Sequence, residues 1–494
     1  MPSSSMGRLN ARLIARPATK KSGRHRSFLA GRPLLRSTLA LSLVSVINRA
    51  VGMLYRALLA RAAGAEALGL FELTTPWRRI TWLASTLELP IALSQVVATA
   101  AARPDHQRAR AAAWLTLQVL LRATLLASLG LWAFLFLGGG RFLADRRAQL
   151  ALETYPLVLL PAVLASWTRA FVQGYQSMVP TALAQLAEQF ARVPAVLLLV
   201  SLFLPFGSPR VTQAIMIGTA LGELADLLAL WWLIRHHRAG LPEGVIPPAP
   251  WTATESLTAP GALKRELQRE LWRVALPLVG AQIYASLFQI VYLALLPQRL
   301  ALAGIGSGAF TAFYGQMTGM VFPVLYFPMV LIHPLVRVLL PATAAAWEKG
   351  ATGRLRRLLY ISLLTSLVLG MGVVIVATTF AEPLVVLLYG RQQAGAARLM
   401  ALLAWAAPLV FVYHILMAVL NGLGRTSAAF AILIASSLVR LGLAAWLAAD
   451  PAWGLDAIIV AIIADDAISV LMAAFAVAAN LRTLSRSTGQ KRAL

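Results

Sequence analysis

The chain has 494 residues, of which 59% are hydrophobic and 13% are charged, and its formal net charge is +25. With a mean hydropathy of +0.73, this composition excludes a water-soluble globular protein, because too much apolar surface would face water. The absence of cysteine excludes a disulfide framework and thiolate chemistry. Since the positive charge forms no compact basic domain, we expect no nucleic-acid partner.

The apolar segments have the length of membrane-crossing helices. Each covers about 20 residues or more, the length that an α-helix needs to cross ~30 Å of hydrocarbon. They lack the alternation of barrel strands, so the sequence predicts an all-α polytopic membrane protein. We expect twelve transmembrane helices, at residues 34–60, 77–101, 111–137, 150–172, 181–204, 211–234, 271–297, 307–341, 355–380, 396–420, 426–448 and 455–480.

Two segments depart from a simple series of straight helices. The eighth predicted span, 307–341, contains four prolines, including Pro323 and Pro328. Because each proline removes a backbone donor, we predict a broken or kinked helix there. The short apolar segment 381–392 is a candidate re-entrant segment at the outer face.

The positions of Lys and Arg predict the orientation of the chain. If the N-terminus lies in the cytoplasm, the segments on the cytoplasmic side of the membrane hold about four times as many Lys and Arg as the segments on the external side. We therefore expect a multi-pass protein of the cytoplasmic membrane with both termini in the cytoplasm, and an N-terminal arm that contacts anionic lipids. The predicted domains are a disordered basic arm at 1–33, a first lobe at 34–235, a cytoplasmic linker at 236–269, a second lobe at 270–480 and a basic cytoplasmic tail at 481–494.

An internal repeat relates the two halves of the chain. The matching pairs are Gln173 with Asn421, Gly174 with Gly422, and Arg192 with Arg440. Each half contributes six predicted spans, so both copies enter the membrane from the same side. The sequence therefore predicts two pseudo-symmetric six-helix lobes around a central cavity, which is the usual construction of a secondary transporter.

Arginines within the predicted spans are the candidate substrate-binding residues, because a central arginine costs about 2.5–3.5 kcal/mol on insertion. Arg49 and Arg56 share one face of span 1, and Gly52 between them would allow a close approach. Two guanidinium groups on one face fit a diphosphate. Arg192 and Arg440 extend this candidate set. Internal pairing or snorkelling to a lipid headgroup is the alternative for these arginines, and for Arg440 it is the favoured one.

Intramembrane carboxylates are candidates for coupling to H⁺ or Na⁺. Glu88 is the strongest, since it lies beside Pro90 in the middle of span 2. Glu188 is four residues before Arg192, so a structural salt bridge is favoured over a role in transport. The remaining candidates are Glu223 and Asp226. We expect neither a metal nor an organic cofactor, because no metal-ligand cluster or enzyme motif occurs.

Small residues and prolines mark candidate positions for packing and gating. Gly315 and Gly319 form a small-xxx-small pair, which favours close helix packing. Pro90 and Pro328 occupy matching positions in the second spans of the two halves, and Gly52 belongs to the same group of candidates. We therefore expect these positions to shape the contacts between helices.

Several segments between residues 34 and 480 resemble a known family. They are RAVGMLYRALLAR at 49–61, GAEALGLFEL at 64–73, LPIALSQVVATAAA at 89–102, ALAQLAEQFARV at 182–193, PQRLALAG at 297–304, FYGQMTGMVFPVLYFP at 313–328, LLPATAAA at 339–346 and VLNGLGRTSAA at 419–429. Together they resemble the stage V sporulation protein B type of polysaccharide transporter. That family belongs to the multidrug, oligosaccharidyl-lipid and polysaccharide (MOP) exporters.

The resemblance implies a MATE-like fold and a flippase for polyprenyl-diphosphate-linked saccharide, related to the lipid II flippases. Arg49 corresponds to a cationic residue that lines the cavity in those relatives. Arg78 and Arg79 resemble the paired arginines that open span 2 in the lipid II group. Gln289 and Tyr292 depart from the pattern, since they stand where the family has an Asn and an Asp, and an inherited ion-coupling scheme is therefore in doubt.

We therefore predict a flippase that moves a lipid-linked saccharide by alternating access and is not an enzyme. Cell-wall synthesis enzymes are candidate partners. The first alternative is a cation-coupled multidrug antiporter, which the excess of intramembrane arginine disfavours. The second is a membrane-embedded glycosyltransferase that acts on a lipid carrier, with Glu66 or Glu72 as its catalytic acid.

Overall fold

The chain folds into a bundle of long helices. The structure, a computed structural model, describes residues 27–236, 241, 261–348 and 352–493. The described residues form helices and no strands, which confirms the all-α prediction. Residues 48–494 form one compact unit, and the lobes and sites described below belong to it.

The first lobe contains seven helices that make six spans. Spans 1 and 2 are α1 and the pair α2–α3, and spans 3 to 6 are single helices. Their bounds are α1 Ser27–Leu73, α2 Thr75–Thr86, α3 Leu89–Ala102, α4 His106–Phe136, α5 Gln149–Gly174, α6 Val179–Phe203 and α7 Ser208–Arg235.

The second lobe repeats this plan with more interruptions. Span 7 is α8, span 8 is α9 to α11, span 9 is α12, span 10 is α14–α15, and spans 11 and 12 are α16 and α17. Their bounds are α8 Gly261–Leu302, α9 Ser307–Gly315, α10 Phe322–Leu325, α11 Met329–Glu348, α12 Thr352–Thr379, α13 Ala381–Tyr389, α14 Ala396–Leu403, α15 Ala406–Gly422, α16 Thr426–Leu447 and α17 Asp456–Ala493.

Ten helical segments of the described residues are long and apolar enough to cross a membrane, and α14 with α15, bent by 42°, would be an eleventh. With α1, this fits the predicted arrangement of about twelve spans in two lobes. Most of the predicted basic arm and residues 237–240 and 242–260 of the predicted linker lie outside the described residues. Side chains of the tail from residue 482 onward lie outside them as well.

Span 2 is broken in its middle. Leu87 and Glu88 adopt left-handed backbone angles, with φ of 50° and 54°, and α3 starts at Leu89 with Pro90 as its second residue. Proline offers no backbone donor and its ring collides with the preceding turn, so α2 cannot continue through Pro90, whereas a new helix can start there. The break therefore lies next to Pro90, a position that the sequence marked for gating.

Span 8 is also broken, as predicted. Six residues, Gln316–Val321, form a π-helical turn between α9 and α10, and a second break at residues 326–328 separates α10 from α11. Pro323 lies at the start of α10 and Pro328 just before α11. Each proline leaves a carbonyl of the preceding turn without its donor, which explains why this span does not continue as one helix.

The lobes meet closely at one end of the bundle. We call the end that holds the loops after spans 1, 3, 5, 7, 9 and 11 the odd-loop end, and the opposite end the even-loop end. At the odd-loop end, α1 of the first lobe packs directly on α9 of the second. A Cβ atom on Gly69 would collide with the carbonyl of Thr311, and one on Gly315 would collide with the carbonyl of Ala65. A Cβ atom on Gly319 would collide with the side chain of Leu68. The predicted close packing at Gly315 and Gly319 therefore occurs between the lobes.

We expect Gly315→Ala to destabilise the protein, because the added methyl group would push α9 away from α1. Overpacking of this kind costs about 1–3 kcal/mol, so the melting temperature in detergent should fall. Gly130→Ala is the matched control, since no atom lies within 4 Å of a Cβ there. A melting temperature that is equal in the two variants would show that the tight contact is absent.

At the even-loop end, the first turns of α8 pack on the first lobe. Leu267, Leu271 and Ala275 are buried against α2, α3 and α4. Arg108 of α4 pairs with Glu266 at 2.9 Å and with Glu270 at 2.8 Å. The helix thus begins about ten residues before the predicted span 7, because these residues have an apolar face of their own to bury.

Candidate functional site

A central cavity lies between the two lobes. Its volume is about 670 Å³, and it is lined mainly by the first lobe, with α10 and the break that follows it closing one side. Its polar and aromatic lining residues are Tyr55, Arg56, Phe71, Glu72, Thr75, Arg78, Arg79, Trp82, Tyr155, Arg192, Thr219, Glu223, Tyr326 and Phe327.

Arg56 and Arg192 reach this cavity from α1 and α6. Arg56 pairs with Glu72 at 3.3 Å, and 45% of its side chain remains exposed. Arg192 pairs with Glu188 at 2.7 Å, and its guanidinium lies 5.3 Å from the ring centre of Tyr55. The i,i+4 salt bridge that the sequence favoured is therefore present. Both arginines still contribute positive charge to the lining.

Arg78 and Arg79 occupy the first turns of α2. Arg78 donates hydrogen bonds to the hydroxyls of Thr74 at 3.0 Å and Thr75 at 2.8 Å, and it lies over the ring of Phe71. Arg79 is exposed and forms no ion pair within the described part of the chain. The geometry thus leaves the guanidinium of Arg79 free to bind an anion in the cavity.

The lining carries a surplus of positive charge. Four guanidinium groups line the cavity with two carboxylates, those of Glu72 and Glu223, and Glu188 outside the lining pairs with one of the four, Arg192. In a region of low dielectric constant, this imbalance favours an anion over a cation. Guanidinium groups also bind phosphate oxygens with two hydrogen bonds at a time. The chemistry of the lining therefore suits an anion with phosphate-type oxygens.

A buried ion pair stands behind the cavity in the first lobe. Asp226 of α7 is fully buried and pairs with Arg169 of α5. One of its carboxylate oxygens and the Nε of Arg169 have no hydrogen-bond partner in the described structure. Asp226 is thus placed to fix α5 against α7. Of the predicted coupling residues, Glu223 alone lines the central cavity.

Three predictions of site residues need correction or fall outside the structure. Arg440 does not line the central cavity, because it is held inside the second lobe by Asp465 at 3.8 Å and by the ring of Tyr292, 4.6 Å away. Gly52 lines the cavity, but no atom comes within 4 Å of a Cβ there, so it permits no close helix approach. The side chain of Arg49 lies outside the described residues.

A polar cluster joins the lobes at the odd-loop end. Asp145 accepts a hydrogen bond from Thr311 at 2.9 Å and pairs with Arg147 at 2.8 Å. Arg147 also binds Glu66, which accepts a hydrogen bond from Ser208 at 2.9 Å. We call these five residues the polar clasp. Since Thr311 belongs to the second lobe and the others to the first, the polar clasp closes this end of the cavity.

A second contact between the lobes supports the closure. Arg61 of α1 donates through Nε to the carbonyl of Leu388 at 2.7 Å and also binds the carbonyl of Leu387. Both carbonyls belong to the last turn of α13. The negative end of a helix dipole attracts a cation. The candidate re-entrant segment is therefore a short helix whose end is held by span 1.

The ionised carboxylates of the polar clasp, and therefore its hydrogen bonds, should persist at moderately acidic pH. Burial raises the pKa of Asp145, but hydrogen bonds from Arg147 and Thr311 outweigh this effect and hold that pKa below its usual range. Hydrogen bonds from Arg147 and Ser208 lower the pKa of Glu66. A carboxylate with a lowered pKa stabilises the closed state above its ordinary pKa and loses this effect as the pH falls through the lowered value.

We therefore expect the odd-loop end to stay closed from about pH 8 to pH 5 and to loosen below about pH 4. The chain contains no native cysteine, so spin labels can be placed on Arg141→Cys and Arg391→Cys, two exposed positions at this end. The distance between the two labels, one in each lobe, reports whether the end is closed. Asp145→Asn should lengthen that distance already at pH 7, whereas Glu382→Gln should not. An unchanged distance in Asp145→Asn would contradict the role of the polar clasp.

Several residues of the site escaped prediction from the sequence. Tyr55, Tyr155 and Tyr326 line the cavity as aromatic residues of apolar helices, and nothing in the sequence separates them from core residues. Asp145 and Thr311 are far apart in the chain, so no local pattern predicts their contact. The signal that could have found Glu72 is its charge at the end of span 1, opposite Arg56.

Two six-helix lobes around a charged cavity, with broken helices in both, define a transporter. The comparisons agree with this class. The family described as Polysaccharide biosynthesis protein matches residues 34–347, and the family described as MatE matches residues 316–446. Since the first match covers more than half of the chain, the chain belongs to the Polysaccharide biosynthesis protein family.

Individual relatives point the same way. The chain is 27% identical to stage V sporulation protein B of Bacillus subtilis over 88% of this chain and 82% of that protein. It is 24% identical to the lipid II flippase MurJ of the same organism, over 83% and 76% of the two chains. A multidrug resistance MATE family transporter in an inward-facing conformation shares the fold, with a TM-score of 0.69 and 16% identity over 89% of this chain and 96% of the other.

The chain is thus a membrane transporter of the Polysaccharide biosynthesis protein family. Its relatives are transporters, so it is not an enzyme, and the alternative of a membrane-embedded glycosyltransferase is wrong. Glu66 and Glu72, the acids considered for that activity, are both engaged by arginines, Arg147 and Arg56.

Proposed function

We propose that the protein flips a polyprenyl-diphosphate-linked saccharide across the cytoplasmic membrane by alternating access. The surplus of guanidinium groups in the central cavity carries this proposal. A diphosphate has two or more negative charges and several acceptor oxygens, and arginine binds such groups in a bidentate manner. Arg56, Arg79 and the partly engaged Arg78 surround the space where the diphosphate would sit.

The remaining lining suits the rest of the substrate. Tyr55, Tyr155, Trp82 and Tyr326 offer aromatic rings with polar tips around the cavity, and such rings contact both the apolar and the hydroxyl faces of sugars. The polyprenyl tail is apolar and would stay in the bilayer during transport. Only the charged and polar headgroup then needs a path through the protein.

The same lining disfavours a cation-coupled multidrug antiporter. A cationic drug would meet four guanidinium groups and two carboxylates, and one of these carboxylates, Glu72 of span 1, is already paired with Arg56. Removing a cation from water into such a site is unfavourable. An anionic headgroup gains from the same arrangement.

Orientation gives the proposed movement its direction. We place the odd-loop end outside the cell, as the distribution of Lys and Arg indicates, so the polar clasp closes the external side. A membrane potential that is negative inside drives a negative headgroup outward, by about 2.3 kcal/mol per charge for each 100 mV. The lobes must bind the headgroup differently in their two states for net movement to occur.

Native mass spectrometry of the purified protein tests the proposed substrate. We expect undecaprenyl-diphosphate-linked muropeptide to bind the wild-type protein, and undecaprenol, which lacks the diphosphate and the saccharide, to bind far more weakly. Equal binding of the two lipids would show that the headgroup is not recognised and would contradict the proposal.

A further inference from the structure

Span 3 carries an arginine on its outer surface. This span is α4, which is long and apolar enough to cross a membrane. The side chain of Arg122 is exposed there, and so are Leu125, Leu126 and Leu129 on the next turns, with exposed fractions of 61%, 69% and 49%. Side chains three, four and seven residues apart share one face of a helix. Together with Gln118, one turn before Arg122, they form a surface that we call the α4 face.

Arg122 lies deep in the membrane. Arg110, an exposed arginine near the even-loop end, precedes it by twelve residues, and Phe136 at the opposite end of α4 follows it by fourteen. At ~1.5 Å per residue these separations are about 18 Å and about 21 Å, which places Arg122 near the middle of the ~30 Å hydrocarbon layer. Both separations are far longer than an arginine side chain. A guanidinium at this depth is costly unless it meets a polar partner or the bilayer becomes thinner.

The described part of the chain provides no such partner. Within it, Arg122 forms neither an ion pair nor a hydrogen bond, and the amide of Gln118 forms no hydrogen bond. These two polar groups are neighbours on the helix, and the rest of the α4 face is apolar. A glutamine in a membrane helix forms hydrogen bonds to other helices, and a carboxylate accepts strong hydrogen bonds from a guanidinium. One carboxylate on a neighbouring helix could therefore bind both side chains.

We propose that the α4 face binds a transmembrane helix of a partner membrane protein, and that an Asp or Glu in the middle of that helix pairs with Arg122. Charge complementarity selects this occupant, because a carboxylate at that depth is as costly as Arg122, and pairing reduces both costs. A second copy of the chain fits poorly, since a two-fold contact on this face would bring two Arg122 side chains together. The inference does not depend on the proposed function.

Energy transfer to synthetic transmembrane helices tests the chemistry of the α4 face. The chain has no native cysteine, so Gln107→Cys, an exposed position in the first turn of α4, carries the acceptor. The donor is attached to apolar peptides of about 20 residues whose central residue is Asp or Leu. In phosphatidylcholine vesicles we expect the Asp peptide to bind about tenfold more tightly than the Leu peptide, which is the size of a polar contact between membrane helices.

Arg122→Leu should abolish the difference between the two peptides. This variant should keep the fold, because Arg122 has no described partner, and an unchanged melting temperature checks this. Arg110→Leu is the matched control, since it removes an exposed charge of the same helix outside the apolar centre, and it should keep the preference for the Asp peptide.

Three results of this experiment would overturn the proposal. The first is equal binding of the two peptides to wild-type protein, which would leave Arg122 to water or a lipid headgroup. The second is a preference for the Asp peptide that persists in Arg122→Leu. The third is energy transfer between differently labelled copies of the protein that needs no peptide and is lost in Arg122→Leu, which would assign the α4 face to a second copy.

Photo-cross-linking in cell membranes tests whether such a partner exists. With p-benzoylphenylalanine in place of the exposed Leu126, we expect a cross-link to a membrane protein that has an Asp or Glu near the middle of one of its spans, identified by mass spectrometry. The cross-link should be lost in Arg122→Leu and kept in Arg110→Leu. Cross-links to lipid alone, or to a protein whose spans lack a central carboxylate, would contradict the proposal.

Discussion

Alanine at both Arg56 and Arg79 is expected to lower the affinity for undecaprenyl-diphosphate-linked muropeptide about 100-fold or more. A hydrogen bond to a charged group contributes about 1.5–3 kcal/mol, so the loss of two such contacts removes about 3 kcal/mol or more. Each 1.4 kcal/mol is about a tenfold change in affinity. Titration of the lipid into the purified variant, followed by native mass spectrometry, measures the effect.

A matched pair of variants distinguishes the loss of cavity arginines from the loss of total positive charge. Arg141 and Arg391 are exposed arginines of the odd-loop end that do not line the central cavity. Alanine at these two positions removes the same charge, and we expect affinity within about twofold of wild type, since exposed charges act weakly. Lysine at Arg56 and Arg79 should give an intermediate loss, because it keeps the charge without the planar fork. Equal losses in the two alanine pairs would refute a diphosphate site at Arg56 and Arg79.

Asp226→Asn is expected to cause the largest loss of stability of any single substitution considered. Asp226 is 0% exposed and pairs with Arg169. Its replacement leaves a guanidinium without a counter-charge inside the bundle, and breaking a buried pair in this way costs about 3–5 kcal/mol. Thermal denaturation in detergent micelles should show a clear fall in melting temperature.

The exposed pair of Arg398 and Asp456 provides the control. Its side chains are 71% and 38% exposed, and a surface pair contributes about 0–1 kcal/mol. Asp456→Asn should therefore leave the melting temperature close to that of wild type. The double change of Asp226→Leu with Arg169→Met should recover most of the lost stability, because no charge remains buried. A small effect of Asp226→Asn would mean that water reaches Arg169.

The repeat in the sequence predicted more than the two lobes. Arg192 and Arg440 were matched as equivalent positions, and each lies over a tyrosine in the first span of its own lobe, Tyr55 or Tyr292. The two sites then diverge. Glu188 pairs with Arg192 on the same helix, whereas Arg440 has Ser436 at the matching place and takes Asp465 from the next span. A partner from another helix has no fixed spacing, so the sequence left Arg440 unpaired.

The breaks in the spans were predictable to different degrees. Four prolines made span 8 an evident candidate, and a π-helical turn and two breaks occur there. In span 2 the single Pro90 gave a weaker signal, because a proline near a helix start is compatible with a continuous helix. The left-handed angles of Leu87 and Glu88 depend on packing against α8, which a local pattern does not contain.

Contacts between the lobes could not be read from the sequence. Gly315 and Gly319 indicated close packing, but the partner helix α1 became evident only in the structure. The hydrogen bond from Thr311 to Asp145 joins helix α9 of the second lobe to a loop of the first, and neither residue carries a local signal of this contact. The contacts that close one end of the cavity therefore depend on the tertiary arrangement.

Flipping of a labelled lipid in proteoliposomes tests the central claim most directly. The protein is reconstituted with undecaprenyl-diphosphate-linked muropeptide that carries a fluorophore on its headgroup, and a membrane-impermeant quencher reports which leaflet holds the label. We predict that wild-type protein moves the label between leaflets, and that alanine at Arg56 and Arg79 abolishes this movement while alanine at Arg141 and Arg391 does not. No movement by folded wild-type protein, or undiminished movement by the Arg56 and Arg79 variant, would contradict a flippase that holds the diphosphate in this cavity.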